Sequence, residues 1–111
     1  MLHARLRYFD PARRRAGLPE QVAALVERMT ADDVTVRLVN LDPVDARTVI
    51  VQGGAYAEHQ ILNVAIGDAP AKAVDSSAFT VRLAPGAGAR LTLKMKRYTN
   101  APTLSFPWER A

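Results

Sequence analysis

The residues best suited to chemistry lie close together in the segment "AYAEHQ", which contains Tyr56, Glu58 and His59. A carboxylate beside an imidazole can perform acid–base catalysis or bind a metal ion. Adjacent residues of a β-strand point to opposite faces, so Glu58 and His59 would converge on one atom only at a β-bulge. His3 is the only other histidine, and a surface position is the simpler interpretation of His59.

Three aromatic residues offer a second kind of chemistry, the flat surface on which a sugar ring packs. They are Tyr56, Tyr98 and Trp108, and rings of this kind are equally suited to the margin of a hydrophobic core. Trp108 is the only tryptophan and follows Pro107. Because a large buried ring contributes about 1.5 to 3 kcal/mol, we expect Trp108 to fold back and be mostly buried. The candidate binding residues are therefore Tyr56, His59, Tyr98 and Trp108.

The glycines of "APGAGARLTLKMK" raise the question of a phosphate-binding loop. A Walker loop needs a Lys-Ser/Thr pair at the start of a helix, and a dinucleotide loop needs a third glycine with a helix behind it. Gly86-Ala87-Gly88 is followed instead by alternating apolar and polar residues. The pattern therefore predicts that the glycines form a hairpin loop between two strands.

The net charge of +4 and the pI near 10.0 favour contact with phosphate groups. An abundance of arginine and alanine is also typical of GC-rich coding sequences, which weakens this interpretation. The run from Arg13 to Arg15 has no interleaved aromatic residues and is interpreted as a solvated surface. Outward positions of the predicted strands would form one basic sheet face if the strands were neighbours, and these positions are Arg37, Arg82, Arg90, Lys94 and Lys96.

The length of 111 residues suits one hydrophobic core. Hydrophobic residues form 49% of the chain and charged residues 23%, as in ordinary globular proteins. Cysteine is absent, which excludes a disulfide framework, a thiolate nucleophile and a cysteine-based zinc site. The apolar runs are too short for a bilayer span or a signal peptide, so no membrane contact is expected, and the composition does not indicate a compartment.

Residues 1–32 are predicted to form a helical lead-in. Asp10 can cap a first short helix that Gly17 would end. A second helix is predicted from Pro19, because apolar residues then recur at the spacing of one helical stripe. The stripe consists of Val22, Leu25, Val26 and Met29.

From residue 33 onward the period changes to the alternation of β-strands. Val34, Val36 and Leu38 share one face of a predicted strand, and Leu91, Leu93 and Met95 share one face of another. At least five short strands without intervening helices predict an antiparallel β-sandwich over residues 33–111, with a small barrel as the alternative. Residues 103–106 are predicted to add an edge strand.

Two segments carry a resemblance to a known family: "VTVRLVNLDPVDARTVIVQ", in which a strand ends in "VN", and "FTVRLAPGAGARLTL", which contains the pattern V-x-L-x-P-G. Over residues 33–97 the chain resembles the small C-terminal β-sandwich domains that follow the catalytic domains of many bacterial glycoside hydrolases. The resemblance implies an accessory role without catalytic residues. No cofactor or metal site is predicted. It also implies that these residues are part of a longer protein.

Three functional hypotheses follow from these patterns. The first is a noncatalytic accessory or interaction domain of a larger carbohydrate-active enzyme, which packs against the upstream catalytic domain or a second copy of itself. It predicts self-association through an apolar surface patch that involves the N-terminal helix or Trp108. The second is a carbohydrate-binding module, and the third, least favoured, is a small β-barrel that binds nucleic acid.

Overall fold

The computed structural model describes residues 5–109, which form nine β-strands and one short 3-10 helix. The strands are β1 (Leu6–Asp10), β2 (Arg15–Ala16), β3 (Val22–Met29), β4 (Asp33–Asn40), β5 (Arg47–Gly53), β6 (Gln60–Ile66), β7 (Lys72–Ser76), β8 (Ala78–Leu83) and β9 (Gly88–Lys96). The 3-10 helix is Pro107–Glu109, and residues 5–109 contain no α-helix.

The strands form two antiparallel sheets. The four-stranded sheet has the order β2-β1-β5-β8, and the five-stranded sheet has the order β3-β4-β9-β6-β7. Apolar residues from both sheets form one buried cluster, as expected of a sandwich. The prediction of a mainly β, antiparallel fold is therefore confirmed.

The predicted alternation of β4 and β9 is also confirmed. Val34, Val36 and Leu38 are completely buried, and Leu91, Leu93 and Met95 are buried in the same core. The two strands are hydrogen-bonded neighbours, with Val36 paired to Leu91. Strands with one buried face are easily recognised in a sequence, because their side chains alternate between the core and the solvent.

The predicted N-terminal helices are wrong, because the segment from Pro19 forms β3, which pairs with β4. The apolar residues of this segment also satisfy a strand period: Val22, Ala24 and Val26 lie opposite Asn40, Leu38 and Val36. Pairing of seven residues of this eight-residue strand with β4 overrides the helical spacing. Residues 1–4 of the predicted lead-in lie outside the described part of the chain.

The first predicted helix is replaced by a tight turn. Asp10 does accept the backbone N–H groups of Ala12 and Arg13 at 3.1 and 3.3 Å, as a helix cap would. The chain then reverses instead of continuing as a helix, so that Asp10 pairs with Arg15 in the β1–β2 hairpin. Gly17, with φ of 103°, donates to Tyr8 O and holds the reversal.

The loop that contains Gly86 joins two strands, as predicted, but it is not a hairpin. β8 belongs to the four-stranded sheet and β9 to the five-stranded sheet, so residues 84–87 cross from one sheet to the other. The connection from β4 to β5 crosses in the opposite direction. Both connections are therefore arches between the two sheets. Sequence alternation identifies a strand without identifying its partner, and for this reason the pattern around Gly86 predicts a hairpin where the structure has an arch.

The predicted edge strand at residues 103–106 is absent from the structure. This part of the chain is an irregular tail, held by hydrogen bonds from Asn100 N to Glu58 O and from Thr103 N to Tyr56 O. The prolines at 102 and 107 have no backbone donor, which limits the ladder that this segment can form.

Candidate functional site

The C-terminal tail covers the outer face of the four-stranded sheet. Phe9 and Ile50 are paired on β1 and β5, and they alternate with core residues, so they face away from the core. Both are nonetheless buried, and Phe106 and Trp108 pack edge-on against the Phe9 ring at centroid distances of 5.9 and 6.0 Å. Trp108 folds back as expected and is half-buried.

Phe106 and Trp108 also stack on each other, with centroids 5.0 Å apart and an interplanar angle of 8°. One face of the indole is therefore covered by Phe106. The guanidinium of Arg7 lies 4.9 Å from the Phe9 centroid and donates to Ala55 O at 3.0 Å. The outer face thus has its own small aromatic layer, separate from the core between the sheets.

His59 is buried at the end of the loop between β5 and β6, which corrects the expected surface position. Its Nδ1 atom accepts the backbone N–H of Tyr98 at 3.0 Å, and the two rings meet edge to face at 4.8 Å. Burial lowers the pKa of His59, the Glu58 carboxylate opposes this effect, and the positive charges of Arg5 and Arg97 add to it. The imidazole is therefore held neutral, as a hydrogen-bond acceptor.

Glu58 and His59 both lie against Gly54, where an added Cβ would meet the Glu58 carboxylate and the His59 ring. The two residues precede β6, so the alternation expected of a strand does not separate them. Glu58 accepts the backbone N–H of Tyr56 at 3.0 Å. Each side chain is thus engaged in holding the loop, and this pair builds local structure.

The three aromatic candidates lie in different surroundings. Tyr56 lines a shallow apolar groove with Leu104, Tyr98 lies against His59, and Trp108 lies against Phe9. Within residues 5–109, no ring contact joins any two of Tyr56, Tyr98 and Trp108. Trp108, unlike Tyr56 and Tyr98, lines a cleft beside the tail.

This cleft has a volume of about 610 Å³ and lies between the tail and the passage from β7 to β8. Ser77 alone separates these two strands, although they belong to different sheets. Ile50 and Thr80, paired across β5 and β8, form the floor on the outer face of the four-stranded sheet. Pro107 and Trp108 form one wall.

A chain of polar side chains forms the opposite wall. Asn100 Nδ2 donates to Gln60 Oε1 at 2.9 Å, and Gln60 Nε2 donates to Asp75 Oδ1 at 3.1 Å. Asn100 is itself fixed through its backbone to Glu58 O. Asp75 is exposed and has φ of 46°, a conformation that aspartate and asparagine tolerate better than most residues.

Sequence reasoning missed these polar residues. Gln60, Asp75 and Asn100 lie on β6, on β7 and in the tail, and they meet because β6 pairs with β7 and the tail returns to the 56–58 loop. No spacing in the sequence connects them. The neighbouring "DSS" of residues 75–77 has turn-forming residues, and that was the single local signal.

The basic residues do not form one surface. Arg37 and Arg90 face each other across β4 and β9, whereas Arg82 is on β8 in the other sheet. Glu27 lies between the first two, with its Oε1 atom 3.8 Å from Arg37 Nε and 2.9 Å from Arg90 Nε. Part of the positive charge is therefore neutralised by a carboxylate on β3.

Residues 5–109 contain no group of three or more histidine, aspartate and glutamate side chains placed to hold a metal ion. Within the same residues, no helix is long and apolar enough to cross a membrane.

Comparison with known proteins gives the site no assignment. No family model, curated protein or solved structure shows significant similarity to this chain. A function is therefore inferred from the geometry described above.

Proposed function

We propose that this chain is a noncatalytic interaction module that packs against another protein surface through β3. One observation carries the proposal: this edge strand exposes apolar side chains on both faces of its sheet. Leu25 is 61% exposed, Val26 43% and Met29 54%. Large apolar residues clustered at one sheet edge are typical of a protein contact.

The position of β3 explains why these residues are uncovered. β3 is hydrogen-bonded to β4 on one side and lies at the edge of the wider, five-stranded sheet. Along its core-facing side, Val22 is buried, Ala24 is half-buried, and Val26 and Met29 are exposed. The core therefore ends partway along the strand, and a partner's apolar side chains would extend it.

A β-bulge between Val26 and Arg28 shapes the contact. It interrupts the regular ladder, and such bulges limit the addition of a further strand. The contact that fits this edge is therefore side-chain packing rather than extension of the sheet.

The resemblance to accessory domains of glycoside hydrolases supports an upstream catalytic domain as the natural partner. For the isolated chain, the occupant of the edge is a second copy. Weak, concentration-dependent self-association is expected of an apolar surface whose partner is absent.

Sedimentation equilibrium between about 0.01 and 1 mM tests the proposal, since these concentrations bracket weak protein contacts. We expect the wild type to self-associate and the double variant Leu25→Lys/Met29→Lys to associate at least tenfold more weakly. The matched control is Val44→Lys/Leu104→Lys, which changes two apolar residues that are 76% and 81% exposed elsewhere. A wild type that stays monomeric throughout, or a control that lowers association as much as the β3 variant, would overturn the proposal.

A further inference from the structure

We propose that the cleft beside β7 binds a neutral carbohydrate, with the Asp75 carboxylate as the principal hydrogen-bond acceptor. The cleft lies at the opposite edge of the five-stranded sheet from β3. The inference is thus independent of the protein contact proposed above.

The two sides of the cleft differ in chemistry, and a sugar ring has the same two kinds of surface. The floor and one wall are largely apolar, formed by Ile50, Ala78 and Trp108. The other side presents carboxylate, amide and hydroxyl groups, from Asp75, Asn100 and Ser76 among others. A pyranose ring can place its C–H face on the apolar side and direct its hydroxyl groups to the polar side.

The polar wall is preorganised. Gln60 receives a hydrogen bond from Asn100 and gives one to Asp75, so the carboxylate is oriented through two linked amides. A carboxylate accepts hydrogen bonds at both oxygen atoms, and the Gln60 contact uses Oδ1. Asp75 therefore retains acceptor capacity toward the cleft, and bonds from hydroxyl groups to a charged acceptor are strong.

The charge of the lining selects the class of ligand. Asp75 is the only charged residue among the described residues that line the cleft, although the whole protein has a net charge of +4. A phosphate or a nucleic acid would meet a carboxylate there instead of a cation. The volume of about 610 Å³ lies within the usual range for small-molecule sites.

The test is an NMR titration of the full chain with cellobiose, maltose and lactose, and separately with choline chloride. We expect at least one disaccharide to shift the amide signals of residues 75–80 and the Trp108 indole signal saturably, with Kd on the order of 1 mM. Because Trp108 is the only tryptophan, its fluorescence reports on the same site.

Two substitutions locate the binding, each with a matched control. Asp75→Asn keeps the tolerated backbone conformation and should weaken binding about tenfold, because a charged acceptor is lost. Asp68→Asn makes the same change in the turn between β6 and β7 and should leave binding unchanged. Thr80→Val should weaken binding by a smaller factor, about threefold, whereas Thr92→Val on the exposed face of β9 should have no effect.

Three outcomes would overturn the inference. The first is that no disaccharide gives saturable shifts at residues 75–80. The second is that Asp68→Asn weakens binding as much as Asp75→Asn. The third is that choline saturates the site while the disaccharides do not, which would assign the carboxylate and indole to a cation.

Discussion

The two ends of the sandwich are each held by a buried polar side chain, but in different ways. At one end, where β5 and β9 begin, Asn40 Nδ2 donates to the carbonyls of Asp45, Leu83 and Ala84. At the other end, where the same two strands finish, His59 Nδ1 accepts the backbone N–H of Tyr98. Asn40 joins the two arches between the sheets, and His59 holds the start of the tail.

The difference lies in the chemistry of the anchors. An amide does not titrate, so the Asn40 contacts persist at any pH at which the protein folds. The lone pair on His59 Nδ1 exists only in the neutral ring and is lost when that nitrogen is protonated. We therefore expect the stability of the end held by Asn40 to be independent of pH, and the stability of the end held by His59 to decrease in acid.

The largest expected effect comes from Asn40→Leu. This substitution keeps the size of the side chain and removes every side-chain hydrogen bond to the arches, including that from Asp42 N to Asn40 Oδ1. The backbone bond from Asn40 N to Ala87 O remains. Because carbonyl groups are left buried without partners, we expect a loss of about 3 kcal/mol in the free energy of unfolding, measured by urea denaturation. Asn63→Leu, at a half-buried position on β6, is the control. A loss for Asn40→Leu below about 1 kcal/mol would show that the Asn40 side chain stabilises its end of the sandwich no more strongly than His59 stabilises the other.

The next effect concerns the tail at the His59 end. Trp108→Ala removes a half-buried ring that contacts Phe9 and Phe106, and we expect a loss of about 1 to 2 kcal/mol in the free energy of unfolding. Leu104→Ala changes an exposed residue of the same tail and should have little effect. Equal losses for the two variants would contradict the packing role of Trp108.

Acid provides a direct comparison of the two anchors. The folded state holds the pKa of His59 below its ordinary value, whereas the unfolded chain takes up the proton from about pH 6.5 downward. The free energy of unfolding is therefore unaffected above about pH 7 and decreases as the pH falls through about 6.5. The decrease stops once the pH is below the lowered pKa of the folded state.

The measurement for that pH dependence is the unfolding midpoint in urea between pH 7.5 and 5.5, the window set by the ordinary pKa of histidine. His59→Gln should remove the slope, and His3→Gln should retain it. A slope that persists in His59→Gln would assign the effect to another group.

The smallest effect is expected away from both ends, at Glu27. Glu27→Gln leaves Arg37 and Arg90 facing each other across β4 and β9 without their shared carboxylate. The ion pairs are exposed, so the loss should be about 0.5 kcal/mol at low salt and should disappear in 1 M NaCl, as expected of surface pairs. A larger or salt-independent loss would mean that surface charge contributes as much to stability as a buried anchor.

The parts of the fold that can be predicted from the sequence are those in which the polarity of each side chain matches its burial. β4 and β9 have one buried face each, and their alternation is unambiguous. The segment of β3 is predicted as a helix because the spacing of Val22 and Val26 fits both a helix and a strand. Pairing with β4 favours the strand.

The anchors and the cleft depend on contacts between distant segments. Asn40 is the last residue of β4, and its carbonyl partners Leu83 and Ala84 follow more than 40 residues later. Asp75 and Asn100 likewise meet only when β6 and the tail are in place. Alternation and turn residues describe local conformation, and these features arise from topology.

The position of β9 has a consequence for the order in which the protein can assemble. β9 is the last strand along the described chain, yet it lies in the middle of its sheet, between β4 and β6. Until residues 88–96 leave the ribosome, the hairpins β3–β4 and β6–β7 cannot join, and each exposes an edge that β9 will later cover. The five-stranded sheet is thus completed only after β9 has been synthesised, through pairings between strands far apart in sequence, which are the slowest to form.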